Sequence, residues 1–313
     1  MRSFDGRCNW LPVEERTIRR IFDQRKLAKF DIVMWVRNGE VTLPVALKRI
    51  EQVIPSELLE QRIMVDDHST DASKEIGESF GWKVVPNPDT GISAGANHAL
   101  SLVQSEYFAS FEQDIFLAAD WWPRVPGLVL GRDSDVASGL RFVDRPLSVR
   151  AIQEYSAEKC FHRRCFETAK VDRFVLGRSF DNTFYRTDAV KATGGFPKAS
   201  FSSGLDTVLA YKLHCLGYKW RVDYDVQSIH LHGDLSNELQ KQYWYGTQLS
   251  QVLKTVEMET GVKLPVTKFN TAIRVFSAPL IGLKIAVKTH VPSTFIVYPL
   301  QRLYGLRGML KAG

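Results

Sequence analysis

Cysteine is scarce in this 313-residue sequence. The four present, Cys8, Cys160, Cys165 and Cys215, are too few and too scattered for a disulfide framework, so a reducing compartment is expected. No uninterrupted apolar run reaches the roughly 18–20 residues of a spanning helix. Residues Met1 to Arg20 are polar and charged, without an apolar core segment, so no secretory signal is expected. Repeats and low-complexity segments are absent too. Acidic residues stop at Glu259, beyond which stand Lys263, Lys268, Arg274, Lys284, Lys288, Arg302, Arg307 and Lys311. The formal net charge of +6 is therefore −2 before that point (6 − 8). A near-neutral body with a basic tail argues against a nucleic-acid partner and for a local basic surface.

The remaining composition is that of a globular protein, 44% hydrophobic and 24% charged. The length fits one large α/β domain with an appendage. Residues 1–29 read as an amphipathic lead-in, helical around Glu14 to Lys26. Phe30 to Val36 is apolar enough for a strand buried on both faces, and Asn38-Gly39 ends it. A helix carrying Leu43, Val45, Leu47 and Ile50 follows. The strand Arg62 to Val65 runs into an acidic turn, where Asp71 or Thr70 is placed to cap the next helix. Trp82 to Val85 is a third strand, Gly91 to about Val103 a helix, and Tyr107 to Phe111 a fourth strand. This alternation with short connections predicts parallel strands and right-handed crossovers. The later pattern is less regular. It holds a strand over Val136 to Val143, a charged loop or short helix within 144–173, a helix over Asp206 to Leu216, a strand over Tyr218 to Val222, and strand character again around Val222 to Ile229.

Carboxylates gather where strands end. Asp66-Asp67-His68-Ser69-Thr70-Asp71 closes the second strand, and Glu112-Gln113-Asp114 closes the fourth. Crowding them is costly unless a ligand or metal uses them, and ligands of open α/β sheets sit at the carboxyl ends of strands. Two acidic ends in one parallel sheet converge on one cleft. Mg²⁺ typically takes one or two carboxylates together with substrate phosphates, a need that Glu112 and Asp114 suit. By itself an acid-x-acid turn is common on surfaces; its place at a buried strand end gives it weight. Asp206 reads either as a first-turn acid favoured by the helix dipole or as a general base for an attacking hydroxyl. His230-Leu231-His232 offers one histidine to a metal shell.

The order of five stretches resembles a family 2 glycosyltransferase of the GT-A fold. They are Ile63 to Asp71, Gly91 to Leu100, Ser110-Phe111-Glu112-Gln113-Asp114, Gly194-Gly195-Phe196, and Leu205 to Leu213 with Gly217-Tyr218-Lys219. The resemblance runs from Phe30 to Gly233. It implies an α/β fold with a Rossmann-like, mostly parallel sheet flanked by helices. A catalytic domain over 30–235 would precede a basic, apolar helical extension over 236–313. It also implies inverting transfer of a sugar from a UDP- or GDP-linked donor. Asp67 and Asp66, with Val36, Asn38 and Asn97, would contact the donor nucleotide. Glu112 and Asp114 would hold Mn²⁺ or Mg²⁺ against the diphosphate, His232 or His230 would complete the metal shell, and Asp206 would be the base. The chain departs from the family pattern at Glu112, where Asp is usual, and at Leu205, where an acid often stands. It departs again at Ala96, where arginine commonly precedes the asparagine; Arg37 or Lys83 is the candidate substitute.

The tail from about Phe269 interleaves apolar groups with cations. It reads either as a segment lying on an anionic membrane surface or as one packed on the catalytic domain or a second subunit. The lack of acids favours the membrane. With it come a lipid-linked acceptor, such as a polyprenyl phosphate or lipid-linked glycan, and a cytoplasmic location peripheral to the membrane. Cys160-Phe161-His162-Arg163-Arg164-Cys165 reads as a basic loop over the donor or as ordinary surface charge, with structural zinc the minor reading. Trp121-Trp122-Pro123 reads as core, with sugar stacking the minor reading. Tyr243-Trp244-Tyr245-Gly246 either lines the acceptor cleft or anchors a helix. Two rival functions stand. One is a nucleotidyltransferase, for which Trp35-Val36-Arg37-Asn38-Gly39-Glu40 is a poor phosphate loop. The other is a non-catalytic nucleotide-sugar-binding protein.

Overall fold

The structure, a computed structural model, describes residues 29–162, 178–231, 233–264 and 266–312. The expected helix at Glu14 to Lys26, the Arg163-Arg164 loop and His232 lie outside the described residues, as do the side chains bearing the zinc reading at Cys160 and His162.

Strand β1 (Phe30–Val36) is buried along its whole length, as its unbroken apolar run requires. Helix α1 (Leu43–Val53) buries Leu43, Ala46, Leu47, Ile50 and Val53, one face at helical spacing. Then come β2 (Leu59–Asp66), α2 (Ser73–Ser79), β3 (Lys83–Pro86), α3 (Gly91–Leu102) and β4 (Tyr107–Glu112). β1 pairs in parallel with β2 and β4, and β2 with β3. This half of the sheet matches the alternation in the sequence.

The second half contains β5 (Ile115–Phe116), α4 (Trp121–Leu130), β6 (Val136–Val143), α5 (Leu147–His162), β7 (Asn182–Arg186), α6 (Thr187–Ala192), α7 (Leu205–Cys215) and β8 (Trp220–His230). The sheet order is β3-β2-β1-β4-β7-β6-β8-β5. β7 runs antiparallel to β4 and β6, while β8 is parallel to β6 and antiparallel to β5. The sequence does not announce β7, because its buried residues include polar Asn182 and Thr183. Cross-strand bonds satisfy them: Gly139 N donates to Asn182 Oδ1 at 2.8 Å, and the Ser138 and Thr183 hydroxyls meet at 2.7 Å. Helix α5 fills much of the stretch expected as a loop or short helix.

β1 shows how the sheet divides its core. Ile32 and Met34 point to one face, with Phe111, Trp121 and Val125; Val33 and Trp35 point to the other, with Ile63, Phe196 and Leu209. Trp121 is fully buried, and its indole N–H donates to Asn182 O at 2.9 Å, so it is core rather than a sugar platform. Helix α8 (Leu235–Thr260) contributes Val252 and Val256 to the second core.

Helices α9 (Lys268–Thr289) and α10 (Thr294–Lys311) form a hairpin. α10 meets α8 at a glycine seam. A Cβ on Gly246 would lie 2.1 Å from Gly305 O, and one on Gly308 would lie 2.1 Å from Tyr243 O. Ile285 and Val297 of the hairpin cluster with Val143, Val149, Ile152 and Tyr155. By length and composition α9 is long and apolar enough to cross a membrane, although Arg274 and Lys284 interrupt its apolar run.

Candidate functional site

The carboxyl ends of β1, β2 and β4 border a cleft of about 230 Å³. Val36, Arg37 and Asp67 form one part of its wall, and Glu112, Gln113 and Asp114 another. Asp67 is nearly buried, and its carboxylate is anchored from several sides. It accepts from Asn87 Nδ2 at 2.7 Å and from Gly91 N at 3.0 and 3.1 Å. Arg37 Nη1 stands 3.6 Å from its other edge. The α3 N-terminus, where unpaired N–H groups favour an anion, therefore meets the β2 acidic turn. Gln113 ties β1 to the metal turn, accepting from Arg37 N at 2.8 Å and donating to Arg37 O at 3.1 Å.

The metal turn gains a third ligand candidate through strand pairing. β5 immediately follows Asp114, and its Ile115 registers with His230 at the end of β8. Leu231 N donates to Asp114 O at 2.7 Å, which locks the two segments together. His230 Nε2 then lies 3.4 Å from Asp114 Oδ1 and 3.8 Å from Glu112 Oε2. Ligand atoms of Glu112, Asp114 and His230 all fall within 4.8 Å of one another. Two carboxylate oxygens and one imidazole nitrogen suit Mn²⁺ or Mg²⁺, with positions left for phosphate oxygens.

Arg141 joins this cluster to Asp206. Its Nη1 stands 2.7 Å from Asp181 Oδ2 and 3.6 Å from Glu112 Oε2. Burial alone would lower the arginine's pKa, but the charges of Asp181 and Glu112 raise it. Asp181 is fully buried, and that burial pushes its carboxyl upward against the pull of Arg141. Asp206 sits in the first turn of α7, after Gly204 at φ 82°, a left-handed position natural to glycine. Burial raises the Asp206 pKa to about 6; the Thr207 N–H and Arg141 oppose the rise, while Asp181 and Glu112 add to it. Asp206 does not border the cleft itself. It belongs to the charged group that the metal turn shares with Arg141.

Helix α8 closes this group from above. Lys241 is lowered by burial and by Arg141, against Glu238, Asp114 and Glu112. Tyr245 is raised by burial, with Arg141 opposing and Glu238, Glu112 and Asp206 adding. Gln248 Oε1 accepts from Ser202 N at 3.0 Å and Ser203 N at 2.8 Å, fixing the loop ahead of Asp206. In the aromatic stretch after the histidines, Tyr245 lies within electrostatic reach of the charged group, and the neighbouring Gly246 anchors the helix on α10.

Other expected donor residues are occupied elsewhere. The Asp66 carboxylate accepts from Ser69 N at 3.3 Å, shaping its own turn. Asn38 Oδ1 accepts from Thr70 N at 2.9 Å, which holds the β1 and β2 turns together. Asn97 Nδ2 donates to Ser93 O at 2.9 Å and Phe196 O at 3.0 Å, tying α3 to the Gly194-Gly195 turn. Of the two candidate substitutes for the missing arginine, Arg37 borders the cleft, while Lys83 lies on edge strand β3. Arg141, Asp181 and Lys241 were missed in the sequence. Arg141 and Asp181 lie in stretches without a motif, and Lys241 in a helix with no unusual pattern.

No curated protein matches the chain. Its fold is similar to that of a mannosyltransferase from Pyrobaculum calidifontis solved with GDP-Man and Mn²⁺. The TM-score is 0.60 at 14% identity over 94% of each chain. It is also similar to glucosyl-3-phosphoglycerate synthase from Mycobacterium tuberculosis, solved with Mn²⁺, UDP and glucosyl-3-phosphoglycerate. There the TM-score is 0.55 at 15% identity, covering 84% of this chain and 88% of that one. Such identities speak to the fold. The sequence itself matches the family model for glycosyl transferase family 2 over residues 31–194, from β1 to the Gly194 turn. With the matching fold and the acidic cleft, this stretch, more than half of the protein, shows that the chain belongs to glycosyl transferase family 2 and is a glycosyltransferase.

Proposed function

We propose that the protein transfers a sugar, with inversion, from a UDP- or GDP-linked donor to a hydroxyl or phosphate of a lipid-linked acceptor. The observation that carries this reading is the gathering of Glu112, Asp114 and His230 at a cleft shared with Asp67, with Arg141 linking Glu112 electrostatically to Asp206. Asp67, with Val36 and Arg37, receives the nucleotide. Asp66, Asn38 and Asn97 support the donor pocket from behind by fixing its turns. Glu112, Asp114 and His230 would hold Mn²⁺ or Mg²⁺, and His232 adjoins that set in sequence. The bound ion supplies positive charge to the departing nucleoside diphosphate.

Asp206 then acts as the base. With its carboxyl near 6 it is mostly ionised at neutral pH yet still basic enough to accept a proton from the attacking hydroxyl. A single carboxylate suffices when the attack comes from the face opposite the leaving group. Arg141 holds Asp181 and Glu112 in place and keeps the group from repelling itself apart. The basic tail supports a lipid-linked acceptor at an anionic membrane surface on the cytoplasmic side.

The test is a panel of nucleotide sugars, with and without Mn²⁺ or Mg²⁺, in which the anomeric configuration of the released or transferred sugar is read by NMR. Metal-dependent turnover with inverted configuration is expected, and an Asp206→Asn variant should lose it. A retained configuration would refute the inverting assignment. Undiminished turnover by the variant would remove Asp206 from the base role.

A further inference from the structure

Among the described residues, helix α9 carries the most concentrated exposed apolar surface. Phe269, Ile273, Phe276, Leu280, Leu283 and Val287 are all exposed, Phe276 at 85% and Leu280 at 74%. At about 100° per residue these six fall within an arc of about 80°. Ala278, Gly282 and Ile285 are buried on the opposite side of the same helix. Helix α10 repeats the arrangement, exposing Phe295, Ile296, Leu303 and Leu310 while burying Val297 and Gln301. A stripe this long and continuous marks an interaction surface.

We propose that the outer face of the α9–α10 hairpin docks on an anionic lipid surface, with both helices lying in the plane of the membrane. The proposal deepens the reading of a lipid-linked acceptor and rests on it for its purpose. Charge decides the occupant. Lys284 borders the apolar stripe on α9, Arg302, Arg307 and Lys311 are exposed on α10, and no acidic residue follows Glu259. Anionic headgroups complement such a face, whereas a second copy would bring up an equally cationic one. The inner faces decide the orientation. Ile285 packs with Ile152 and Tyr155 of α5, and Lys288 pairs with Glu158. Gly308 is pressed against α8. A bilayer crossing would strip these contacts from the catalytic body. Lying in the interface preserves them and still places the apolar stripe in lipid.

This arrangement ties the membrane to the chemistry. Helix α8 holds the hairpin through its glycine seam and, through Gln248 and Val252, the loop ahead of Asp206. One helix thereby sets the height of the base above the lipid surface.

Flotation of the full chain with phosphatidylcholine vesicles, and with vesicles containing about 30% phosphatidylglycerol, tests the proposal. The protein should float with the anionic vesicles and be released by alkaline carbonate. The Phe276→Glu/Leu280→Glu variant, both sites exposed and so compatible with folding, should lose at least about tenfold in partitioning. Lys284→Glu/Arg302→Glu should abolish the preference for anionic lipid. Thermal shift with UDP and GDP, run on every variant, should be unchanged. A wild type that does not float, or a Phe276→Glu/Leu280→Glu variant that floats equally well, overturns docking by this face. Resistance to carbonate overturns the in-plane orientation. A dimer in light scattering that the apolar variant dissociates, without flotation, would assign the face to a second copy. Flotation by a protein that binds no nucleotide would leave docking intact and sink the transferase reading of the site instead.

Discussion

Replacing Asp206 by asparagine should abolish transfer and, at neutral pH, stabilise the protein. The reason lies in the burial of its carboxyl, which raises the pKa from 3.8 to about 6. A folded-state pKa above the unfolded one means that ionisation opposes folding. The penalty is absent below the unfolded value of 3.8, grows as pH rises from about 4 to 6, and is complete above the folded value. A shift of about two units corresponds to about 3 kcal/mol at 1.36 kcal/mol per unit. Asparagine keeps the same shape and leaves an Oδ1 to accept from Thr207 N, now at 2.7 Å, so the substitution removes the charge with little else. Urea unfolding of both proteins without divalent ions should show near-identical stability at pH 4. By pH 7.5 the variant should lead by about 2–3 kcal/mol, with the gap opening between those values. The wild-type kcat/KM should rise through pH 6 and flatten above it, because the base must be ionised. The reasoning would fail if Asp206→Asn were less stable than wild type at pH 7.5, or if the stability gap did not depend on pH.

Three further outcomes follow from packing and polar contacts. Arg141→Met leaves Asp181 buried beside Glu112 without its counter-charge and should cost about 3 kcal/mol in urea unfolding. Asp67→Ala leaves Gly91 N without its acceptor and Asn87 Nδ2 with only Gly91 O; it should cost about 1–3 kcal/mol and remove the thermal shift produced by UDP or GDP. Gly308→Val places side-chain atoms against Tyr243 O, where even a Cβ would lie at 2.1 Å. It should lower stability by at least about 2 kcal/mol in calorimetry, whereas an exposed change such as Leu310→Ser should leave it nearly unchanged.

The first half of the fold was legible in the sequence because its signals are local. The apolar run Phe30 to Val36 has to be buried on both sides, and the acidic turns at Asp66-Asp67 and Glu112-Asp114 mark strand ends. Periodicity and turn chemistry depend only on neighbours along the chain, so they specify parallel strands whose carboxyl ends face one cleft. The order of those motifs was likewise enough to reach the family. The apolar and basic character of the tail could be read in the same way.

Tertiary structure decided what depends on partners distant in sequence. β7 is polar, and only cross-strand bonds from Ser138 and Gly139 make it a buried strand. His230 comes to Asp114 because β5 pairs with the far end of β8, a register no local pattern encodes. Arg141 is one more surface-type residue until Asp181, Glu112 and Asp206 close around it, and Asn97 is a plausible ligand contact until Phe196 O accepts its amide. Residue type and spacing determine which groups are able to do chemistry. Their charge states and their proximity come from burial and from long-range strand and helix pairing, which exist only once the chain has folded.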